Sequence, residues 1–233
     1  MNRIKGFDDF SGHLYEGTGD KIWQSFTGFI KRLFTKKTTP LKPAPQKIPP
    51  QIVGEHMLYL PHQQGPSGAA QLVRIAKGTE KLTPALRSKL LNNMPSSDPR
   101  YLKVKTGKDK EAVLSFLDYQ KSTWGNYQKE ALSKINQKPN TVVKEAIDKI
   151  QNKELPTNFL TTVAYKESRF NPNPKTNTAY RGLFQIGDSA WKQLKRINPS
   201  KYKGSKAPVN PKLNAQAGHD YLKWSYEQFE KLV

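Results

Sequence analysis

Glu167 is the residue whose position in the sequence most clearly indicates chemistry. Phe159, Val163 and Ala164 recur at the spacing of one helix face. Glu167 continues that face, four residues after Val163, which predicts a carboxyl group that emerges from the buried side of a helix near its end. Burial disfavours a charged carboxylate and raises its pKa, as a general acid at neutral pH requires. On spacing alone, however, a glutamate at a helix end is more often a solvated residue than a catalytic one.

A run of residues that begins at Glu167 carries a more specific pattern. The run ESRFNPNPKTNTAYRGLFQI resembles the signature of the lytic transglycosylase family, in which ES, an aromatic residue, NP and later GLMQI recur at this separation. The positions that fit are Glu167, Ser168, Phe170, Asn171, Pro172, Gly182, Leu183, Gln185 and Ile186, with Thr176 where the family commonly has serine. A second family block appears as Asn214, Gly218, Tyr221 and Leu222. The two blocks lie in the last third of the chain.

The resemblance implies a mainly α, lysozyme-like catalytic domain with at most a small β element. It makes Glu167 the catalytic acid and base. Gln185 is implied to direct its amide at the N-acetyl and hydroxyl groups of a sugar, and Tyr221 to give its hydroxyl to the catalytic carboxyl. The full set of implied substrate-binding residues is Ser168, Asn171, Thr176, Gly182, Phe184, Gln185, Asn214 and Tyr221.

The implied reaction is the cleavage of peptidoglycan glycan strands between N-acetylmuramic acid and N-acetylglucosamine. Most glycosidases use two carboxyl groups, whereas this family uses one and closes an anhydro ring on the muramic acid without adding water. A muramidase-type hydrolase with Asp188 as second acid, and a non-catalytic murein-binding or structural protein, remain alternatives. The more favoured role for Asp188, together with Ser189, is to cap the following helix.

The sequence departs from the family signature at several positions around the expected cleft. Ala179 and Tyr180 replace the usual Gly-Ala pair, Phe184 replaces methionine, and Gly187 with Asp188 replaces a pair that ends in proline. These changes concern the shape of the cleft and its preference among sugars more than the chemistry.

Helix signals surround these residues. Pro156 opens the helix of Glu167, and Pro172 with Pro174 is expected to end it. Gly182 allows the backbone to pass close to a bound sugar. Pro211 starts a helix that places the second family block on one face.

The middle of the chain is predicted to be helical, with one short extended piece at Tyr101 to Val104. The predicted helices are Gly68 to Lys77, Ala85 to Asn92, Lys110 to Ser122 and Thr141 to Gln151. The segment YLPHQQGPSGAAQL, Tyr59 to Leu72, resembles a helix start of phage lysozyme-like proteins, where it follows the catalytic block. Here it precedes that block, so that a circular rearrangement and a separate helical lobe both fit. His62 is interpreted as a helix-start or packing residue.

Composition and segment boundaries complete the prediction. We divide the chain into an N-terminal segment 1–35, a Pro/Lys-rich linker 36–52, a helical middle region 53–140 and a lytic transglycosylase domain 141–233. Lys21 to Phe34 is predicted to form a basic amphipathic helix. It would bind another virion protein of the tail, portal or internal core, or a membrane surface. Lys36 to Gln51 is predicted to be an extended spacer.

The 39 Lys and Arg against 19 Asp and Glu give a net charge of +20, which favours a polyanionic partner. Nucleic acid, the carboxylates of the cell wall and anionic lipids all qualify, and the motifs favour the wall. Absence of cysteine excludes disulfides and cysteine chemistry. No metal or nucleotide cofactor is expected, because the four histidines, His13, His56, His62 and His219, lack ligand spacing.

The start of the sequence also bears on the setting in which the protein works. The first residues lack the apolar stretch of a signal peptide. We therefore expect a bacteriophage virion component that acts in the periplasm or wall of its host during genome ejection. A conjugation or secretion-system enzyme is the nearest competitor.

Overall fold

The structure is a computed structural model that describes residues 54–137, 141–151, 155–174 and 179–233. The predicted helix at Lys21 to Phe34, the spacer at Lys36 to Gln51 and Thr176 lie outside these residues. Within them are nine helices and a two-stranded antiparallel sheet, which confirms the mainly α prediction with a small β element. The elements are α1 (His56–Gln64), α2 (Pro66–Lys77), α3 (Pro84–Asn92), α4 (Tyr101–Thr106), α5 (Asp109–Gln137), α6 (Thr141–Gln151), α7 (Thr157–Ser168), β1 (Tyr180–Arg181), β2 (Ile186–Gly187), α8 (Asp188–Ile197) and α9 (Pro211–Leu232).

One hydrophobic core joins these elements. The long helix α5 packs against α2, α4 and α7, while α9 packs against α1, α2 and α6. The core contains Met57 of α1, Phe116 of α5, Phe159 of α7 and Phe229 of α9, all of them fully buried. The helices on both sides of the predicted boundary at 140/141 therefore share this core. None of the helices in the described ranges has the length and apolar character needed to cross a bilayer.

The helix α7 ends abruptly just after Glu167. Arg169 and Phe170 both have positive φ angles, of 53° and 62°, a backbone conformation that residues other than glycine rarely adopt. The Arg169 guanidinium lies over the rings of Tyr165, at 4.5 Å, and Tyr127, at 5.0 Å, and such cation–π contacts stabilise the turn. The left-handed turn, which comes before Pro172, thus places Glu167 on the last turn of its helix.

The predicted extended piece at Tyr101 to Val104 is wrong, because this segment is the helix α4. The Asp98 carboxylate accepts a hydrogen bond from the backbone N–H of Arg100, at 2.9 Å, near the start of the helix. At the other end, the Arg87 guanidinium donates to the carbonyls of Val104, at 2.6 Å, and of Gly107, at 3.0 Å. These side chains bond backbone groups that a short helix leaves unpaired.

The helix α5 continues fifteen residues beyond its predicted end at Ser122, to Gln137. Its buried face carries on through Trp124, Ala131 and Ile135 at helical spacing. Gly125 lies inside this helix, where glycine is unfavourable, and the buried residues on both sides of it keep the helix continuous.

Candidate active site

Glu167 lies in a cleft of about 330 Å³ between α1, α7, the small sheet, the start of α8 and α9. The cleft is lined by His62, Glu167, Tyr180, Gln185, Ile186, Gly187, Ser189, Ala190 and Tyr221. In the part of the chain that the structure describes, Glu167 is the one carboxylate among these lining residues. Its side chain is 19% exposed, so that the carboxyl group is largely dehydrated yet reachable from the cleft.

Two side chains of α1 approach the Glu167 carboxyl. The hydroxyl of Tyr59 donates a hydrogen bond of 2.5 Å to Oε1. His62 Nε2 lies 3.6 Å from the same oxygen, which is too long for a hydrogen bond but close enough for an electrostatic contact. The ring of Tyr221 packs edge-on against His62, at 5.8 Å between centroids. The resemblance implied that Tyr221 donates its hydroxyl to the Glu167 carboxyl. In the structure, Tyr59 makes this hydrogen bond.

The pKa of Glu167 moves in the direction opposite to the one expected from burial alone. Burial is the largest single influence and raises this pKa. His62, the hydrogen bond from Tyr59 and the charge of Lys166 all lower it, and together they place the pKa below its ordinary value. The prediction of a raised pKa was wrong, because the groups that compensate most for burial, His62 and Tyr59, come from α1 and could not be located along the sequence.

Asn214 joins the small sheet to α9. Its side chain is fully buried, and Oδ1 accepts a hydrogen bond of 2.7 Å from the backbone N–H of Phe184. Nδ2 donates to the carbonyls of Arg181, at 3.0 Å, and Pro208, at 2.9 Å. A Cβ atom on Gly182 would lie 2.2 Å from that Nδ2. The sequence suggested that Gly182 makes room for a sugar. In the structure, glycine is required at this position because the Asn214 side chain packs against it.

Phe184 packs below the cleft. Its side chain is 1% exposed, and a Cβ atom on Gly218 would lie 2.4 Å from Phe184 Cγ. Gly218, the glycine of the second family block, therefore leaves space for the ring of Phe184, the residue that replaces the methionine of the family. Next to it, Gln185 has a φ of 47° and its Nε2 donates 2.8 Å to the Gly182 carbonyl, so that the chain bends and Gln185 lines the cleft.

The remaining predicted residues separate into two groups by exposure. Ser168 is buried, and its hydroxyl donates 2.9 Å to the Ala164 carbonyl within α7. Asn171 is exposed after the helix, where its Oδ1 accepts from the backbone N–H of Asn173. The structure thus brings Glu167, Gln185 and Tyr221 together at the cleft. Ser168, Phe184 and Asn214 lie beneath its surface, where they support the walls and cannot touch a sugar in this conformation.

Tyr59, His62 and Tyr180 are at the site but were not assigned to it from the sequence. Tyr59 and His62 belong to the segment that resembles phage lysozyme-like proteins. That resemblance was the feature of the sequence that could have placed them near the catalytic residue. Tyr180 was noted as a departure from the family pattern; its side chain is 58% exposed at the cleft. Asp188, the alternative second acid, is the exposed first residue of α8 and is absent from the cleft lining.

Comparison with known proteins identifies one region of similarity. Residues 145–233 match the family model of the transglycosylase SLT domain. No curated protein and no solved structure gives a match. The family match supports an SLT-type lytic transglycosylase activity on peptidoglycan, and it contains Glu167, Gln185 and Tyr221. The helix α1, with Tyr59 and His62, lies outside it. In the described ranges, no group of three or more His, Asp or Glu residues is arranged to hold a metal ion.

Proposed function

We propose that this protein is a peptidoglycan lytic transglycosylase that cleaves the bond between N-acetylmuramic acid and N-acetylglucosamine and leaves an anhydromuramic acid end. The observation that carries the proposal is the position of Glu167, a largely dehydrated carboxylate that lines a cleft and lies within the segment that matches the SLT family. Gln185 and Tyr221 line the same cleft and offer an amide and an aromatic ring to a sugar.

One carboxyl group is sufficient for this reaction if it acts twice. Glu167 first gives its proton to the glycosidic oxygen as the bond from that oxygen to the anomeric carbon of muramic acid breaks. The resulting carboxylate then takes the proton of the muramic acid C6 hydroxyl, whose oxygen bonds to the same anomeric carbon. No water is consumed, and Glu167 returns to its protonated state. The substrate N-acetyl group stabilises the positive charge that develops between the two steps.

The hydrogen bond from Tyr59 determines which oxygen of Glu167 can deliver the proton. Because Oε1 accepts the Tyr59 hydroxyl, the transferable proton belongs on Oε2. A glycan in the cleft would displace water from the carboxyl group, and this additional desolvation raises the pKa of Glu167 toward the value that proton donation requires.

The direct test compares the full-length wild type with Glu167→Gln on purified peptidoglycan, by zymogram and by mass spectrometry of the soluble products. We expect the wild type to release anhydro ends and the variant to lose activity by at least about a hundredfold, the lower range for removal of a general acid. The variant should keep the wild-type circular dichroism spectrum. Products with reducing ends alone would assign the protein to the hydrolases instead.

A second candidate is a non-catalytic murein-binding or structural protein. The lowered pKa of Glu167 favours it, because a carboxylate that is ionised at neutral pH can bind a sugar hydroxyl but has no proton to give. The same zymogram separates the two candidates, since a wild type that sediments with murein but releases no soluble fragments would be a binder.

We also propose that a phage particle carries the protein to the host wall during genome ejection. The resemblance of Tyr59 to Leu72 to phage lysozyme-like proteins supports this setting. The basic helix predicted at Lys21 to Phe34 would bind a tail, portal or internal core protein, or a membrane surface, and the Lys36 to Gln51 spacer would let the catalytic part reach the murein. Mass spectrometry of purified particles would detect the chain at a fixed copy number, and its absence from them would contradict the proposal.

A further inference from the structure

We propose that the helix α1 completes the active site, with Tyr59 and His62 as positioning residues that hold Glu167 and stabilise the negative charge left on it after proton transfer. Tyr59 and Glu167 are 108 residues apart in the chain, and α1 lies outside the segment that matches the SLT family. This inference rests on the proposed function, because it assigns roles within the same reaction.

The ring of Tyr59 is fixed by packing on several sides. It is 5% exposed and lies 5.4 Å from the ring of Trp124 in α5, which in turn lies 5.3 Å from the ring of Phe159 in α7. The Nζ of Lys166 lies above the Tyr59 ring, at 4.7 Å. A stack of rings from three helices therefore connects the start of α7 to the carboxyl at its end, and it gives the Tyr59 hydroxyl one direction in which to point.

His62 contributes a polar group whose orientation can be deduced from its surroundings. Its Nδ1 is buried with no hydrogen-bond partner among the described residues. A neutral imidazole carries one hydrogen: on Nε2 it points toward a carboxylate acceptor, whereas on Nδ1 it would have no acceptor and would leave the Nε2 lone pair facing the carboxylate. We therefore place the hydrogen on Nε2, the atom that faces Glu167 at 3.6 Å. A side-chain movement of about 0.5 Å would bring this contact into hydrogen-bond range.

These two donors act differently on the two protonation states of Glu167. An O–H or N–H group that faces a carboxylate stabilises its negative charge and does less for the neutral acid. During the reaction that charge appears when Glu167 gives its proton to the glycosidic oxygen. The donors of α1 are therefore already oriented toward a charge that grows along the reaction, which lowers the barrier and not merely the energy of the bound substrate.

The same donors make the pH dependence of activity informative. The titratable groups around the carboxyl are Tyr59 and His62 from α1, Lys166 from α7 itself, Tyr127 from α5 near Lys166, and Tyr221 from α9 beside His62. Tyr59 and His62 both lower the pKa of Glu167. Replacing either one should raise that pKa, so that the alkaline limb of the kcat/KM profile moves to higher pH.

The chain offers a matched control outside the cleft. Asp220 accepts a hydrogen bond from the Tyr202 hydroxyl and lies 2.9 Å from His219 Nδ1. This second carboxylate has the same two kinds of partner, a tyrosine and a histidine, but none of the three residues lines the cleft. Tyr202→Phe and His219→Gln therefore remove the same chemical groups as Tyr59→Phe and His62→Gln.

The experiment measures kcat, KM and the pH profile of the four full-length variants on soluble peptidoglycan fragments. We expect Tyr59→Phe and His62→Gln to lower kcat roughly 10- to 100-fold, the range for a hydrogen bond to a charged group, with KM changed less than about threefold. Both should move the alkaline limb upward. Tyr202→Phe and His219→Gln should leave kcat and the profile within about twofold of wild type.

A second readout does not depend on activity. NMR titration of the Glu167 carboxyl carbon in the full chain should give a higher pKa in Tyr59→Phe and His62→Gln than in the wild type, and no change in the control pair. If the wild type is active and neither α1 variant changes kcat or the Glu167 titration, the inference is overturned while the proposed function stands. If Glu167→Gln keeps full activity, the proposed function fails, and the titration still decides whether α1 holds Glu167.

Discussion

The Tyr59 hydroxyl donates a 2.5 Å hydrogen bond to the carboxyl of Glu167 across 108 residues of sequence. The bond connects a helix outside the family match to the residue on which the proposed chemistry depends. It also helps to explain why the Glu167 pKa lies below its ordinary value although the side chain is largely buried. Burial would favour the neutral acid, whereas the partners around Oε1 favour the carboxylate.

Replacing Glu167 with glutamine should change the pH dependence of stability. The folded-state pKa of Glu167 lies below its ordinary value of 4.5, so that the ionised carboxylate favours the folded state above that pH. This contribution is lost as the pH falls through the folded-state pKa. Urea unfolding at about pH 7 and about pH 3 should show that the wild type loses stability relative to Glu167→Gln at the acidic pH. An unchanged difference between the two proteins would contradict the lowered pKa.

Replacing Asn214 with alanine should destabilise the fold and the floor of the cleft together. The substitution leaves the Phe184 N–H and the carbonyls of Arg181 and Pro208 without their side-chain partner, at a cost of roughly 3 kcal/mol in the free energy of unfolding. Asn173→Ala is the control, because Asn173 is exposed and its loss should cost less than about 0.5 kcal/mol. Equal effects of the two substitutions in urea unfolding would contradict the role of Asn214 as a clamp.

The contrast between Gln185 and Tyr59 shows what the sequence can predict in this protein. Glu167 and Gln185 lie within one continuous run, so that local spacing and a family pattern were enough to assign both to one site. Tyr59 and His62 reach Glu167 through the packing of α1 against α9 and α5, which no local pattern specifies. The predicted direction of the Glu167 pKa shift was wrong for the same reason. Burial follows from a hydrophobic stripe, whereas the identity of partners across the cleft requires the tertiary fold.

Asn214 and Phe184 show a different limit of sequence analysis. A family pattern marks positions that matter without saying whether they touch the sugar or support the residues that do. Asn214 and Gly182 pack against each other, and so do Phe184 and Gly218. Three of these four residues, Gly182, Phe184 and Asn214, were therefore predicted to bind the sugar, although the structure uses them in two close contacts between the small sheet and α9.

Replacing Tyr180 with alanine should weaken glycan binding more than it slows the reaction. The Tyr180 side chain is 58% exposed, lines the cleft, and lies against Gly187 on the neighbouring strand. An exposed ring of this kind gives a sugar face an apolar surface to stack on. We expect KM to rise roughly three- to tenfold with kcat changed less than about twofold. Leu102→Ala removes a side chain that is 65% exposed on α4, and it should alter neither constant.

Replacing Gly218 with alanine should overpack the contact between α9 and the small sheet. A Cβ atom there would lie 2.4 Å from Phe184 Cγ, and the Phe184 ring is fully buried, so that either the ring or the helix must shift. We expect a loss of about 1–3 kcal/mol in the free energy of unfolding.

The same substitution at Gly125 should have the opposite effect on the free energy of unfolding. Gly125 also lies inside a long helix, but a Cβ atom there would have no neighbour within 4 Å. The added methyl group should therefore stabilise the protein by about 0.5–1 kcal/mol through helix propensity.

Adding Phe184→Leu to Gly218→Ala should restore part of the lost stability, because a smaller side chain makes room for the new methyl group. If Gly218→Ala does not destabilise the protein and the double variant shows no coupling, Phe184 does not pack on Gly218 as the structure has it.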